Sequence, residues 1–256
     1  MKRFLLIAVI CLTSVFAGAQ EIVVAAAADL SSVFPQVVSR FEKETGRKVR
    51  VNFGSSGNFL LQIENGAPID IFFSADVQYP KRLESEGLTQ PGTLYHYAVG
   101  KLVLFVPAGS SLNLSQGLRA LQSPQVKRIA LANPQHAPYG RAAVEALKRE
   151  GLYDSLQTKF VMGENISQAA QFVQSGNADA GLIALSLALS PTMKSAGRFV
   201  EVPAADYAPL EQAAVILKSS HDKATAALLL DFLRKPEIVS LLSQYGFTAP
   251  RNVPAK

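Results

Sequence analysis

The sequence predicts an α/β protein of two lobes, each a mostly parallel sheet flanked by helices, with a cleft between them. Three observations carry this. From Glu21 to Tyr245, short apolar runs of strand length alternate with segments whose apolar residues recur at helical spacing. The strand-to-helix turns are built from Gly, Ser, Asn and Asp, the residues that start helices and permit close backbone approach. Those turns fall in two sets, one before residue 100 and one after residue 128. Ligands in open α/β sheets sit beyond the carboxyl ends of strands, so two such edges facing each other make a cleft.

The chain begins with an export signal. Met1-Lys2-Arg3 is a basic start, Phe4 to Phe16 an apolar stretch too short to span a bilayer, and Ala17-Gly18-Ala19 a cleavage site of A-x-A type. Residues 1–19 are thus read as a signal peptide, and the mature chain is expected in the periplasm. The only cysteine, Cys11, lies in the removed segment, so the mature protein must hold together through its core alone. The formal charge of +5 includes Lys2 and Arg3, and the remaining basic residues are scattered among acids. No basic surface for nucleic acid is predicted, nor any transmembrane segment.

Glu21–Ala28 (EIVVAAAA) reads as a buried strand. Asp29-Leu30-Ser31-Ser32 leads into a helix with apolar Val33, Phe34, Val37, Val38 and Phe41, with Ser31 or a neighbour as the cap because Pro35 bars an earlier start. The next strand covers 47–53, and the turn Gly54-Ser55-Ser56-Gly57-Asn58 opens a helix that stops at Gly66. Strands follow at Ile69–Phe73 and Gly100–Val106, with a helix ending at Gly87 between them. The strand Arg128–Ala132 leads through Asn133-Pro134-Gln135-His136-Ala137-Pro138-Tyr139-Gly140 into a helix carrying Ala143, Val144 and Leu147. Lys159–Met162, Asp179–Leu185 and Gln212–Leu217 are the remaining strands, before helices at about 221–234 and 237–245. On this reading one lobe is residues 20–99 plus 218–256 and the other is 100–217.

Chemistry is narrowed by what the turns hold. Gly54–Asn58 misses the G-x-S-x-G elbow of a serine hydrolase by one position, and the three histidines have no metal-ligand spacing. The Walker and dinucleotide glycine patterns are absent. No catalytic residue, metal ligand or cofactor is assigned. A small anion fits better. Ser31, Ser32, Ser55 and Ser56 offer hydroxyls, Tyr139 follows the strand at 128–132, and the helix start near Ile166 offers backbone N–H groups. Five to seven charge-assisted bonds of roughly 1.5–3 kcal/mol each exceed the ~8 kcal/mol of micromolar binding. A turn that merely caps its helix is the plainer reading of Gly54–Asn58 alone.

The segments AAAADL, FGSSGNFLLQIENGAPIDIFFSAD, GKLVLFV, ANPQHAPYGRAAVEAL, AGLIAL and a closing YGF resemble the periplasmic molybdate-binding proteins of ABC transporters over essentially the whole mature chain. The resemblance implies a type II periplasmic binding protein fold, and a cleft closing on molybdate or tungstate without counter-charge. It also implies partnership with a membrane permease and its ATPase, and no enzymatic activity; a monomer is expected. Carried over by position, it implies Ala28, Asp29, Ser56, Tyr139 and Ile166 as the residues around the oxyanion, none bonded to the metal itself. Ser56 would donate through hydroxyl and backbone, Tyr139 through its hydroxyl and Ile166 through its N–H. Two departures stand out. Asp29 occupies a position where the family usually has a neutral residue, so its N–H is expected to face the anion while its carboxylate turns away to cap backbone donors; the other reading is that Asp29 accepts a proton from the ligand, which would favour hydrogen phosphate over molybdate. Ala184 occupies the place of a ligand tyrosine in one branch, with Tyr139 as the expected substitute. A receptor for phosphate or another small anion, and a secreted serine hydrolase, are the alternatives.

Overall fold

A computed structural model describes residues 21–250; the predicted signal peptide lies outside them. Ten strands form two five-stranded sheets. The first contains β1 (Ile22–Ala27), β2 (Val49–Gly54), β3 (Ile71–Ser74), β4 (Tyr95–Gly100) and β10 (Leu210–Ile216), in the order β2-β1-β3-β10-β4. The second contains β5 (Leu102–Pro107), β6 (Ile129–Ala132), β7 (Phe160–Gly163), β8 (Ala180–Ala184) and β9 (Gly197–Glu201), in the order β7-β6-β8-β5-β9. Helices α1 (Phe34–Thr45), α2 (Ser56–Glu64), α3 (Gln78–Ser85), α9 (Lys223–Leu233) and α10 (Pro236–Gln244) belong to the first sheet. The second is associated with α4 (Pro138–Arg149), α5 (Tyr153–Leu156), α6 (Ile166–Gln174), α7 (Leu185–Ala188) and α8 (Pro191–Ala196).

The apolar run of β1 is continuous because both faces of its sheet are covered. Ile22, Val24 and Ala26 pack with Phe34, Val37 and Phe41 of α1 and with Leu229, Leu230 and Leu233 of α9. Ala25 faces the other way, into a cluster with Phe59, Leu60 and Ile63 of α2 and Leu83 of α3. The alternation of period two thus separates two cores, and swapping the register by one residue would exchange them.

Three features differ from the sequence reading. First, four of the five strands in each sheet run the same way, as expected, but each sheet is mixed because it holds one reversed strand. β1 is parallel to β2 and β3, and β6 is parallel to β7 and β8, but β10 runs antiparallel to β3 and β4, and β5 antiparallel to β8 and β9. Second, residues 210–216 were expected in the lobe 100–217, whereas β10 is hydrogen-bonded between β3 and β4 of the first sheet. The outward crossing is the single residue Lys101 between β4 and β5, and the return lies between β9 and β10. An apolar strand run carries no mark of which sheet it joins, so counting strands alone misplaces it. β4 and β9 were not anticipated at all; β4 (YHYAVG) and β9 (GRFVE) are short, edge-located and interrupted by polar residues. Third, Ser31 is not the cap of α1. A 3-10 turn at Ala28–Leu30 precedes that helix, Val33 occupies the cap position without a side-chain bond, and Pro35 sits in the first turn, where its missing N–H costs nothing.

Candidate functional site

Four strand-to-helix turns converge between the sheets. Residues 27–29 at the end of β1, 54–56 at the end of β2, 137–139 at the start of α4 and 165–166 at the start of α6 line, with Ala75, a tight cavity of about 10 Å³. All five residues singled out from the sequence, Ala28, Asp29, Ser56, Tyr139 and Ile166, line it. No lysine, arginine or histidine does. A larger groove, of about 460 Å³, runs past Asp76, Arg141 and Glu145. Two helix starts border it, α3 at Gln78 and α4 at Pro138, but its cation, Arg141, is paired with Asp76, whereas the smaller cavity gathers the hydroxyl-bearing turns of both lobes, so the smaller cavity is the better candidate.

Each wall owes its donors to the local sequence. Helix α2 begins at Ser56 itself, so its first amides have no partner within the helix and point out of its N-terminus. The Ser56 hydroxyl accepts from the Ala75 N–H at 3.0 Å, and its own hydrogen meets no acceptor among the described residues. It is therefore oriented as a donor. Helix α6 begins at Ile166, with Asn165 capping the Gln168 N–H at 3.1 Å, which leaves the earlier amides of the turn unpaired in the same way. The Ile166 side chain is buried in the core of its lobe, as an N–H contributor should be.

Ser55, by contrast, makes no side-chain cap, so the plain capping reading of the turn fails. Its hydroxyl donates across the cleft to the carbonyl of His136, which also accepts the Gly57 N–H at 2.9 Å. An alanine Cβ at Gly57 would stand 2.6 Å from that carbonyl oxygen. Glycine is thus required for the two lobes to meet here. Asn58 donates to Glu164, and Ser167 donates to the Ala28 carbonyl at 2.8 Å while its hydroxyl also pairs with that of Ser31 at 2.9 Å. Ser186 donates to the Asp29 carbonyl at 2.7 Å, and Arg141 pairs with Asp76 and donates to Tyr79 at 2.6 Å. Every one of these bonds joins the two lobes, so the cleft is closed.

The Asp29 carboxylate is turned into the protein and fully buried. It was expected to cap backbone donors; its main partners are instead side chains. Oδ2 accepts from the Tyr139 hydroxyl at 3.0 Å and from Gln212 Nε2, while Oδ1 has no partner. The Gln212 carbonyl oxygen accepts from Tyr97 at 2.7 Å. Burial pushes the Asp29 carboxyl up to about 6, against the opposing pull of Gln212, Tyr139 and the Asp29 and Leu30 amides. Burial first, and then the charge of Asp29, raises the Tyr97 and Tyr139 phenols well above their ordinary value, so both remain donors. In this structure the Tyr139 hydroxyl is thus spent on Asp29. Ala184 is buried at the end of β8, and the helix it caps, α7, supplies Ser186.

Gln212, Ser167, Ser186 and the His136 carbonyl were not assigned from the sequence. Gln212 had a legible signal: an amide inside the buried strand QAAVIL demands a partner. The others had none, because their partners lie across the cleft. Chemically, Ser55, His136 and Glu164 have the residue types of a triad, with Nδ1 3.1 Å from the Ser55 oxygen and Nε2 3.9 Å from Glu164. The Ser55 hydrogen is directed at a carbonyl rather than at the imidazole, so the set works as a clasp between lobes.

The match to known proteins agrees with this geometry. Residues 22–248 match the bacterial extracellular solute-binding protein family. The molybdate-binding protein ModA of Azotobacter vinelandii is 41% identical over 231 residues, covering 90% of this chain and 91% of its own. The chain belongs to the ModA family of bacterial extracellular solute-binding proteins. ModA of Rhodobacter capsulatus is 38% identical, covering 90% of this chain and 89% of its own. The solved structure of the periplasmic molybdate-binding protein of A. vinelandii superposes with a TM-score of 0.85 at 36% identity, covering 90% of this chain and 100% of that one. The sulfate-binding protein SubI of Mycobacterium tuberculosis, at 14% identity and a TM-score of 0.72, shares the fold alone. Among the described residues, no helix is long and apolar enough to cross a membrane.

Proposed function

We propose that this protein is the periplasmic solute-binding component of an ABC importer, capturing molybdate, and tungstate through the same contacts, for delivery to the membrane permease. One observation carries the proposal: a closed interlobe cavity walled by two helix N-termini and an oriented serine hydroxyl, with no cationic side chain. Helix starts and neutral donors hold an ionised oxyanion without a counter-ion, and their fixed directions favour a tetrahedral one. The names of the relatives at 41% and 38% identity support the same ligand. Selectivity against sulfate then rests on cavity size, since both are fully ionised tetrahedral dianions. Hydrogen phosphate carries a proton that needs an acceptor, and the one carboxylate of the cavity lining, Asp29, is turned into the protein towards Tyr139 and Gln212.

Calorimetry of the mature protein with molybdate, tungstate, sulfate and phosphate tests this. Tight binding of the first two alone is expected. Ser56→Ala should weaken molybdate by roughly ten- to a hundredfold, the worth of one charge-assisted bond, while Ile166→Val leaves it unchanged. Tight phosphate binding with none to molybdate would sink the proposal.

A further inference from the structure

We infer that the cleft takes up one proton together with its oxyanion, and that Asp29 is where that proton is held. The inference rests on the oxyanion function proposed above and assigns a role that the neutral-donor picture leaves open. Asp29 lines the same cavity as Ser56 and Ile166, is fully buried, and has one oxygen saturated by donors and the other with none. A dianion entering that cavity has a buried carboxylate of like charge behind its wall, out of contact with water, which favours the protonated acid.

Nothing nearby compensates that charge. Facing Asp29 are Tyr139 from α4, Tyr97 through Gln212 from β4 and β10, Ser186 from α7 and Ser167 from α6 through the Ala28 carbonyl; the tyrosines, held far above their ordinary range, are the titratable groups among them. The cations and histidine closest in the fold are engaged elsewhere: Arg141 with Asp76 and Tyr79, Lys101 with Glu201, His136 with Ser55. Tyr139 and Gln212 both donate to Oδ2, so the proton belongs on Oδ1. There it removes the charge from a buried acceptor that has no partner of its own. The balance is simple: carboxylate, oxyanion and one proton from bulk buffer combine, and the proton returns to solvent when the cleft opens. That burial already lifts this carboxyl to about 6, against the opposing pull of its hydrogen bonds, is in keeping with the assignment.

The test is calorimetry with molybdate at pH 7.5, where the free oxyanion is fully ionised, in buffers of different ionisation enthalpy. Wild type should take up close to one proton per molybdate bound, and its affinity should fall towards tenfold per pH unit as the pH rises above 7. Asp29→Asn keeps the accepting oxygen for Tyr139 and Gln212 and should show neither proton uptake nor pH slope. Molybdate binding by wild type without proton uptake, or equal uptake by Asp29→Asn, overturns the inference and leaves the proposed function standing. Absence of molybdate binding from pH 5.5 to 9 overturns both.

Discussion

Gly57→Ala should hold the cleft open and lower oxyanion affinity by about a hundredfold or more while leaving the fold intact. Gly57 lies in the first turn of α2, where alanine suits the backbone better than glycine, so each lobe should be as stable as before or slightly more so. The damage is confined to the closed state. A Cβ there would come within 2.6 Å of the His136 carbonyl oxygen, 2.8 Å of its Cα and 2.9 Å of its Cβ, and the first two are backbone that cannot swing aside. Relieving the overlap moves α2 away from the second lobe. That breaks the Gly57–His136 bond of 2.9 Å and the adjoining Ser55 contact. It also means that α2 and α6 cannot both reach one anion. Small-angle scattering with saturating molybdate, compared with wild type, should show the variant remaining extended. Wild-type affinity together with ligand-induced compaction would show that the lobes do not close on this contact.

Asp29→Asn should stabilise the ligand-free protein at pH 8 and have little effect near pH 4. The sign follows from a carboxyl held at about 6 in the folded protein against an ordinary 3.8. The stability this group contributes is fully present below pH 3.8, where it is neutral in both states, and is lost as the pH rises through about 6, because the unfolded chain ionises more easily. The difference is on the order of 3 kcal/mol for so deeply buried a group. Asparagine is neutral at every pH, presents an oxygen to Tyr139 and Gln212, and places an amide at the unpartnered Oδ1. Thermal denaturation at the two pH values should show a gain of several degrees at pH 8 only. A gain of the same size at both would assign the effect to packing rather than to ionisation.

The two folds of the chain that matter most for binding were legible for different reasons. The turn Gly54–Asn58 announced itself because glycines and hydroxyls at a strand-to-helix boundary have few uses, and Ser56 proved to be a helix start with an oriented hydroxyl. Ile166 was legible in the same way, through Asn165 at a cap position. What escaped the sequence was pairing across distance. Ser55 reads as a helix cap until His136, 81 residues away, is brought to it. Asp29 reads as a cap until Tyr139 and Gln212, separated from it by 110 and 183 residues, close on its carboxylate. β10 failed for a related reason: its apolar pattern states that it is buried, but only its ladder with β3 and β4 states where. Local chemistry survives in a sequence, whereas the partner of a buried polar group depends on the whole chain.

The central claim is that an oxyanion sits between the N-termini of α2 and α6, held by neutral donors. A crystal structure of the mature protein grown with molybdate, with data collected at the molybdenum absorption edge, tests it directly. The account predicts one strong anomalous peak inside the cavity, its oxygens within hydrogen-bond distance of the Ser56 hydroxyl and the Ile166 N–H. A peak in the open groove beside Arg141, or one held by a lysine or arginine side chain, would contradict it.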